Sequence, residues 1–276
     1  MSFERIVQSV VDCGGEAVRL QKDIDRNFKQ DGSIITEADH AVDRMLSDTI
    51  RRTYPDAVLI SEESRTGSAA EGPHLTFIID PIDGTDAYSQ GLPGWCVGVG
   101  ILDETLAPVG AVIYAPRWGS FGEGETLLCL KPGKGVQCNG HDIEPRAGQE
   151  GKRGQIVISS GTHRKLDLSS FPGKIRTIGS ALLHLVAPVL YPEIIAALQA
   201  PCYVWDIAAA HAVLSSCGFG LEYLSGGGPD YGSLVSRIKT SGFIIAGSNR
   251  SMGMVRQYIK PLPRQVEHQQ ERRRST

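Results

Sequence analysis

Apolar residues recur at helical spacing in two segments near the start of the chain. In the first segment they lie three and four positions apart, at Phe3, Ile6, Val7, Val10, Val11 and Val18. This spacing predicts a helix, and Gly14 and Gly15 within it indicate close packing of the backbone. The second helix is predicted to begin after Thr36, because apolar positions recur as far as Ile50, and to end by Pro55.

After the second predicted helix, the hydrophobic pattern changes to short runs of strand length. Bounded by polar, Gly or Pro residues, these runs are AVLIS (57–61), LTFIID (75–80), CVGVGIL (96–102) and PVGAVIY (108–114). The last two are expected to form an antiparallel meander. From about residue 151, strand-like runs alternate with apolar helical segments, including one predicted from Asp206 to Cys217. This alternation favours an α/β second half.

The chain divides into three parts on these grounds. Residues 1–150 are predicted to form an N-terminal α+β half and residues 151–262 a C-terminal α/β half, with a Gly-rich polar boundary near 145–153. Residues 263–276 contain almost no side chains to bury, so a flexible tail is predicted there.

Composition and charge limit the classes of function. The 28 Lys+Arg against 31 Asp+Glu leave a net charge of −3, which argues against nucleic acid as a partner, since such proteins rely on basic residues. A hydrophobic fraction of 41% is sufficient for a large core and excludes a disordered chain. The apolar stretch 181–200 contains Pro188, Pro192 and Glu193, so it is predicted to be a buried segment rather than a membrane span.

The cysteines and the N-terminus bear on the cellular compartment. The six cysteines are scattered, without a C-x-x-C pair, and are interpreted as reduced thiols. Glu4 and Arg5 precede any apolar run, so no secretory signal is predicted. Together these features predict a cytoplasmic protein.

The strongest candidate for chemistry is the segment FIIDPIDGTD at 77–86. A buried strand is expected to end at Asp80, because Pro81 cannot continue a hydrogen-bonded ladder. The following Asp-Gly-Thr is expected to turn into a helix with free backbone N–H groups. Carboxylates beside such a helix start are suited to a metal-assisted phosphate site. The alternative is that Asp83 only caps a helix.

Three further acidic positions have both a structural and a chemical interpretation. Glu62 follows the predicted strand AVLIS and by itself is typical of a solvated turn. Asp39 lies three residues after Thr36, as in a capping box, and Asp206 precedes an Ala-rich helix, where an N-cap is the default interpretation. Carboxylates from several separate segments are also the ligands that a hard divalent cation such as Mg²⁺ prefers.

The chain resembles the inositol monophosphatase family of metal-dependent, lithium-sensitive phosphomonoesterases. The resemblance rests on stretches in the family's order: DGSIITEAD (31–39), ISEES (60–64), DPIDGTDAY (80–88), GSALL (179–183), WDIAAA (205–210) and GSN (247–249). It implies an α+β fold, a layered α-β-α-β-α sandwich of the sugar-phosphatase type with an α/β C-terminal half. It also implies hydrolysis of a small phosphate monoester by a metal-activated water.

The resemblance further implies roles for individual residues. The implied metal ligands are Glu62, Asp80, Asp83, Asp206 and the backbone carbonyl of Ile82. They would bind two to three Mg²⁺ ions, with Li⁺ as an inhibitor. Asp39 and Thr85 would be catalytic and hold the attacking water, and Gly84 and Thr85 would bind the phosphate. The implied substrate-binding residues are Gly179, Ser180, Ala181 and Gln199. The family also implies a homodimer.

The sequence leaves the identity of the substrate open. Family members that hydrolyse inositol phosphates carry a Glu seven residues before the aspartate of the WD motif, where this chain has the uncharged Gln199. The alternatives are a 3'-phosphoadenosine 5'-phosphate phosphatase, a histidinol-phosphatase or a fructose-1,6-bisphosphatase. An alternative of another class is a non-catalytic regulatory protein on the same fold. His184 and His211 lie among apolar neighbours and are interpreted as core histidines.

Overall fold

Helices form at Ser2–Leu20 and Glu37–Thr53, where helical spacing predicts them. The computed structural model of the protein describes residues 2–22, 24–29, 32–64, 74–119, 124–144 and 154–262. Its helices are α1 (Ser2–Leu20), α2 (Glu37–Thr53), α3 (Thr85–Ser89), α4 (Ala181–Leu190), α5 (Ala208–Ser216), α6 (Tyr231–Leu234) and α7 (Asn249–Tyr258), with a 3₁₀ turn at Thr162–Arg164. The predicted boundary at 145–153 and the predicted tail at 263–276 lie outside the described residues.

Local chemistry explains the limits of α1 and α2. Helix α2 begins after Thr36, whose side chain and that of Asp39 form the predicted capping box. Inside α1, a Cβ on Gly14 would overlap the ring of Tyr114, whereas one on Gly15 would meet nothing. The predicted close packing is therefore confirmed at Gly14 and is absent at Gly15.

The strands are short and most of them belong to two sheets. They are β1 (Asn27–Phe28), β2 (Ile34–Ile35), β3 (Val58–Ser61), β4 (Thr76–Asp83), β5 (Cys96–Leu102), β6 (Pro108–Ala115), β7 (Thr126–Leu130), β8 (Val136–Cys138), β9 (His141–Asp142), β10 (Gln155–Ile158), β11 (Leu166–Asp167), β12 (Ile175–Arg176), β13 (Ile194–Gln199), β14 (Gly220–Tyr223), β15 (Ile244–Gly247) and β16 (Lys260–Pro261). Two small pairs, β1 with β2 and β11 with β16, are antiparallel.

The first sheet is an extended antiparallel meander. Within the described residues, strands β3 to β9 lie side by side in sequence order, and only the pairing of β3 with β4 is parallel. The meander predicted for β5 and β6 is confirmed.

The second sheet is mixed, in the order β12-β10-β13-β15-β14. Strands β12, β10 and β13 are parallel, as expected when helices connect strands, whereas β15 runs antiparallel to both of its neighbours. The strand-helix alternation predicted the parallel part and did not predict the antiparallel edge.

Helices and sheets stack in five layers. Helices α1 and α2 pack against the first sheet, α4 and α5 lie between the two sheets, and α7 packs against β13 and β15. Three clusters of buried apolar side chains fill the spaces between the layers. The predicted α+β, α-β-α-β-α sandwich is therefore confirmed. None of the described helices is long and apolar enough to cross a membrane.

Candidate metal and phosphate site

A β-bulge brings two carboxylates to the same side of strand β4. The prediction that the strand ends at Asp80 is wrong, because β4 continues to Asp83. Asp80 pairs with Gly98, and Asp83 pairs with Cys96. An advance of three residues along β4 therefore matches an advance of two residues along β5, so β4 contains one extra residue. Such an extra residue accommodates Pro81 within the strand. In a regular strand, residues three apart point to opposite faces, and the bulge reverses this parity for Asp83.

Asp83 is held at the start of helix α4. Its carboxylate accepts hydrogen bonds from the backbone N–H groups of Ala181 at 2.9 Å and Leu182 at 2.6 Å. The hydroxyl of Ser180 donates to it at 2.5 Å. Because Gly84 is the N-cap of α3, the alternative that Asp83 caps the helix following it is wrong. Asp83 instead connects the first sheet to the C-terminal half.

Asp206 comes from the turn that precedes helix α5. The helix begins at Ala208 rather than at Asp206, and its N-cap is Ile207. The carboxylate of Asp206 accepts a hydrogen bond from the backbone N–H of Tyr203 at 2.7 Å. Its side chain therefore stabilises the preceding turn, and the N-cap interpretation is wrong.

These three carboxylates form one buried cluster. Oxygen atoms of Asp80, Asp83 and Asp206 lie within 4.8 Å of one another. Burial raises the pKa of Asp80 well above its ordinary value, and the charges of Glu62, Asp83 and Asp206 raise it further. The buried Oδ1 atom of Asp80 has no hydrogen-bond partner among the described residues. Three carboxylates that repel one another, one of them with a buried oxygen that lacks a donor, are suited to a divalent cation, so this set of oxygen ligands fits Mg²⁺.

Glu62 lies near this cluster but is paired with a lysine. The ammonium of Lys29 lies 2.8 Å from Glu62 Oε1 and 2.5 Å from Glu63 Oε1. Burial raises the pKa of the Glu62 carboxyl, and Lys29 offsets this shift only in part. Glu62 is therefore an ion-paired and partly buried residue, not the solvated turn of the alternative interpretation. Nothing in the sequence around Lys29 indicated this ion pair.

Asp39 and Thr85, predicted as a catalytic pair, lie side by side. The Thr85 hydroxyl oxygen is 3.3 Å from Asp39 Oδ1 and 2.9 Å from the carbonyl oxygen of Ile82. One hydroxyl has one proton, so it donates to one of these acceptors at a time. The other oxygen of Asp39 accepts from the backbone N–H and hydroxyl of Thr36. Burial raises the pKa of Asp39, although these bonds oppose the shift.

Only glycine fits at position 84, between β4 and α3. Gly84 has a left-handed φ of 94°, and a Cβ there would lie 3.0 Å from the carbonyl oxygen of Gly94 and 3.2 Å from that of Gly179. The backbone at the start of α3 therefore lies close to the backbone of the segment that precedes α4. Gly84 and Thr85 are the N-cap and the first residue of α3, where backbone N–H groups lack intrahelical acceptors.

A cavity of about 570 Å³ opens beside the carboxylates. Glu62, Asp83 and Asp206 line one part of it, and the remainder is lined by backbone, by neutral side chains that include Thr177 and Gln199, and by the exposed carboxylate of Asp86. Gly179 and Ala181 also line the cavity. Ser180, in contrast, is fully buried, and its hydroxyl is engaged with Asp83.

His184 is a functional candidate that the sequence did not identify. It is buried, as predicted for a core histidine, but it also lines the cavity. Its Nε2 accepts from the backbone N–H groups of Ile178 at 2.8 Å and Gly179 at 3.3 Å, so the neutral ring carries its proton on Nδ1. Within the described chain, His184 Nδ1 and the buried Oε1 of Gln199 make no hydrogen bond. The isolated histidine in the apolar stretch ALLHLVAPVL was the available signal.

The fold and the motifs are shared with proteins of known activity. A family model described as "Inositol monophosphatase family" matches residues 5–254. Inositol monophosphatase 1 from Saccharomyces cerevisiae is 28% identical over 224 residues, which is 72% of each chain. The fructose-1,6-bisphosphatase/inositol-1-monophosphatase of Thermotoga maritima is 31% identical over 196 residues, 67% of this chain and 69% of that protein.

A solved structure confirms the likeness in three dimensions. The extragenic suppressor protein SuhB from Bartonella henselae superposes with a TM-score of 0.76 and 21% identity, covering 92% of this chain and 96% of its own. At this identity the superposition supports the fold alone, and the family model supports the assignment. The chain belongs to the inositol monophosphatase family and is a phosphoric monoester hydrolase.

Proposed function

We propose that this protein hydrolyses the phosphate monoester of a small, uncharged alcohol that carries several hydroxyl groups, with Mg²⁺ as cofactor. The observation that carries the proposal is the cluster of Asp80, Asp83 and Asp206 at one end of a cavity whose described lining has no Lys or Arg and, apart from the exposed Asp86, is otherwise neutral. Glu62 and the backbone carbonyl of Ile82 would complete the metal ligands. Mg²⁺ bound there would lower the pKa of a coordinated water and offset the charge of the phosphate.

The chain's own residues would orient the attacking water. A water beside Thr85 can donate to the Thr85 hydroxyl oxygen while that hydroxyl donates to Asp39, which lies 3.3 Å away. The bonds from Thr36 keep the Asp39 carboxylate in place. The backbone N–H groups of Gly84 and Thr85 would hold the phosphate in line with this water. The new P–O bond would form to the water oxygen as the bond to the alcohol oxygen breaks. The water gives up one proton in this step, and the departing alkoxide oxygen takes one up from solvent, so the products are the free alcohol and inorganic phosphate.

The alcohol would bind in the neutral part of the cavity. His184 Nδ1 is a donor and Gln199 Oε1 an acceptor, and neither makes a well-formed hydrogen bond among the described residues, although the two side chains are close enough to interact. A hydroxyl group both donates and accepts, so it can satisfy the two atoms together. Burial lowers the pKa of His184 to about 4, although Gln199 partly opposes the shift, and the ring is neutral at pH 7. Gly179 and Ala181 would shape the wall, and Ser180 would support it through Asp83.

The alternative substrates fit this cavity less well. Bisphosphates such as 3'-phosphoadenosine 5'-phosphate and fructose 1,6-bisphosphate need a cationic partner for the second phosphate. The described residues that line the cavity include no Lys or Arg. Histidinol phosphate carries an ammonium group, for which the uncharged Gln199 provides no counter-charge. The Asp86 carboxylate also lines the cavity, but it is exposed, so solvent weakens its attraction for a cation. A non-catalytic role is not retained, because the chain belongs to a family of hydrolases.

A substrate panel tests the proposal. Phosphate release is measured with Mg²⁺ on inositol 1-phosphate, 3'-phosphoadenosine 5'-phosphate, histidinol phosphate and fructose 1,6-bisphosphate. We expect kcat/KM for the neutral polyol to exceed the others by about a hundredfold, equivalent to ~2.7 kcal/mol. In Gln199→Leu the KM for the polyol should rise, whereas the exposed Asp56→Asn serves as a control. Preference for a bisphosphate would contradict the proposed substrate class.

Three further expectations accompany this proposal. Li⁺ should inhibit phosphate release, and a metal titration should give two to three Mg²⁺ ions per chain. A homodimer is expected from the family and would be tested by sedimentation equilibrium. A cytoplasmic location would be tested by cell fractionation.

A further inference from the structure

Four side chains form a stack beside Asp206, which we call the cation–ring column. The Nζ atom of Lys239 lies 4.8 Å from the ring centroid of Tyr203. The rings of Tyr203 and Trp205 are stacked, with centroids 4.6 Å apart and an interplanar angle of 20°. The Cζ atom of Arg237 lies 4.8 Å from the centroid of Trp205. Each cation–ring contact is within the range of favourable cation–π attraction.

The column supports the turn that carries Asp206. Trp205 directly precedes Asp206, and Tyr203 donates its backbone N–H to the Asp206 carboxylate at 2.7 Å. Two aromatic rings that are fixed by stacking therefore limit the movement of this backbone. Asp206 is therefore held in place both by the cation–ring column and by helix α5, which follows it.

Arg237 also reaches the segment that carries Glu62. Its guanidinium donates to the backbone carbonyls of Ser61 and Glu62, the latter at 2.7 Å, and to that of Ser64 at 3.3 Å. These carbonyls belong to the end of β3 and to the residues after it. A planar guanidinium with several N–H donors is suited to bridging neighbouring carbonyls. Arg237 therefore joins two ligand-bearing segments that are more than a hundred residues apart in sequence.

The backbone at Arg237 is in an unfavourable conformation. Its φ of 63° lies in the left-handed region, which non-glycine residues adopt at an energetic cost. Surrounding contacts must hold the residue in this state. The carbonyl contacts and the contact with Trp205 are among the interactions that do so.

We infer that Arg237 is a positioning residue, which sets the separation of Glu62 and Asp206 through the cation–ring column and thereby the affinity of the site for a divalent cation. This inference rests on the proposed function, in which both carboxylates are metal ligands. Arg237 does not contact the reacting atoms. Its loss should weaken Mg²⁺ binding more than it slows turnover at saturating Mg²⁺.

The test compares Arg237 with Arg256, because both side chains donate hydrogen bonds to backbone carbonyls. Arg256 donates to the carbonyls of Leu224 and Tyr223 and to the Glu222 carboxylate, and it is a matched control outside the site. Mg²⁺ alone is titrated into each protein by calorimetry, without substrate. We expect Arg237→Gln to weaken Mg²⁺ binding about tenfold while kcat at saturating Mg²⁺ stays within about threefold of the parent.

Conservative and control variants separate positioning from general stability. Arg237→Lys keeps the charge but has no fork of donors to bridge the carbonyls, so most of the loss should remain. Arg256→Gln should lower the melting temperature while Mg²⁺ affinity remains at the parent value. If both Gln variants lower the melting temperature and neither changes Mg²⁺ affinity, Arg237 is only structural and the inference is overturned.

A charge-neutral variant covers the case in which Arg237→Gln does not fold. Tyr203→Leu keeps the backbone N–H that donates to Asp206 but removes one ring from the column without changing the charge near the site, so it should weaken Mg²⁺ binding about twofold to fivefold. An unchanged affinity in that variant would then overturn the inference. A parent chain that binds no Mg²⁺ would instead remove the proposed function itself.

Discussion

At the scale of single residues, the Thr85 hydroxyl lies between the Asp39 carboxylate and the backbone carbonyl of Ile82. It lies within reach of both the Asp39 carboxylate and the Ile82 carbonyl, so its donor can switch between them. Thr85 has no side-chain contact with the carboxylates of Asp80 or Asp206 among those observed. Its role should therefore appear in turnover rather than in metal affinity.

Replacing Thr85 tests this role. Thr85→Ala should lower kcat by about 10²–10³, because the water loses its hydrogen-bonded link to Asp39. Thr85→Ser keeps the hydroxyl and should stay within about tenfold of the parent. The concentration of Mg²⁺ that gives half-maximal activity should be similar in all three proteins. A large rise in that concentration for Thr85→Ala would contradict the assigned role.

His184 supports a pH prediction. Burial lowers its pKa in the folded protein to about 4, against 6.5 in an unfolded chain. Between these values the unfolded chain binds a proton that the folded chain does not, so stability falls as pH falls from 6.5 toward 4. The resulting loss for this residue is about 2 kcal/mol between pH 7 and pH 5.

Urea unfolding at pH 7 and pH 5 measures this contribution. His184→Gln removes the titrating group, so its stability should fall less over this interval than that of the parent. His141 is exposed, and His141→Gln is the matched control that should keep the parent's pH dependence. Equal pH dependence in the parent and His184→Gln would contradict the prediction.

At the scale of elements, helix α1 contains adjacent glycines with opposite environments. Gly14 faces the ring of Tyr114 on strand β6, whereas Gly15 is exposed and has open space around it. Alanine has a higher helix propensity than glycine at either position. The two substitutions therefore differ only in what the added methyl group meets.

This pair provides an internal comparison within one helix. Gly15→Ala should raise the free energy of unfolding by about 0.5–1 kcal/mol. Gly14→Ala should lower it by about 1–3 kcal/mol, because the methyl group displaces Tyr114 and with it the contact between α1 and the first sheet. Denaturant unfolding followed by circular dichroism measures both. If Gly14→Ala were as stable as Gly15→Ala, the contact with Tyr114 would not restrict the size of the side chain at position 14, and the prediction would be wrong.

At the scale of the whole molecule, the buried carboxylate cluster joins parts of the chain that are distant in sequence. Asp80 and Asp83 come from the first sheet, and Asp206 comes from the turn before α5. A cation bound to all three would stabilise the folded state by linkage, since the unfolded chain does not present the cluster. In its absence, the buried carboxylates repel one another.

Thermal unfolding with Mg²⁺ and with EDTA tests this coupling. Mg²⁺ at a hundred times its Kd should stabilise the parent by about 2.7 kcal/mol. Asp80→Asn should lose most of this increment and should be no less stable than the parent in EDTA, because one repelling charge is gone. Asp56→Asn, on the surface, should respond to Mg²⁺ like the parent. A full Mg²⁺ response in Asp80→Asn would exclude Asp80 as a ligand.

The elements that depend on local sequence were predictable. Apolar spacing identified α1 and α2, and the Thr36–Asp39 capping box marked where α2 begins. These features depend on the spacing of apolar side chains along the chain and on hydrogen bonds between residues a few positions apart. Both can be read from the sequence. The acidic motifs likewise predicted the cluster of Asp80, Asp83 and Asp206, because the family resemblance supplied their order.

The tertiary structure decided how those residues are oriented and what supports them. The bulge after Asp80 depends on the register with β5, and it turns Asp83 toward the same side. The contacts of Lys29 with Glu62, and of Arg237 with the same segment, join positions distant in sequence. By itself, the sequence determined helices α1 and α2, the meander of β5 and β6, and the family. Register and long-range contacts were decided only by packing, because no local pattern encodes which distant backbone groups meet.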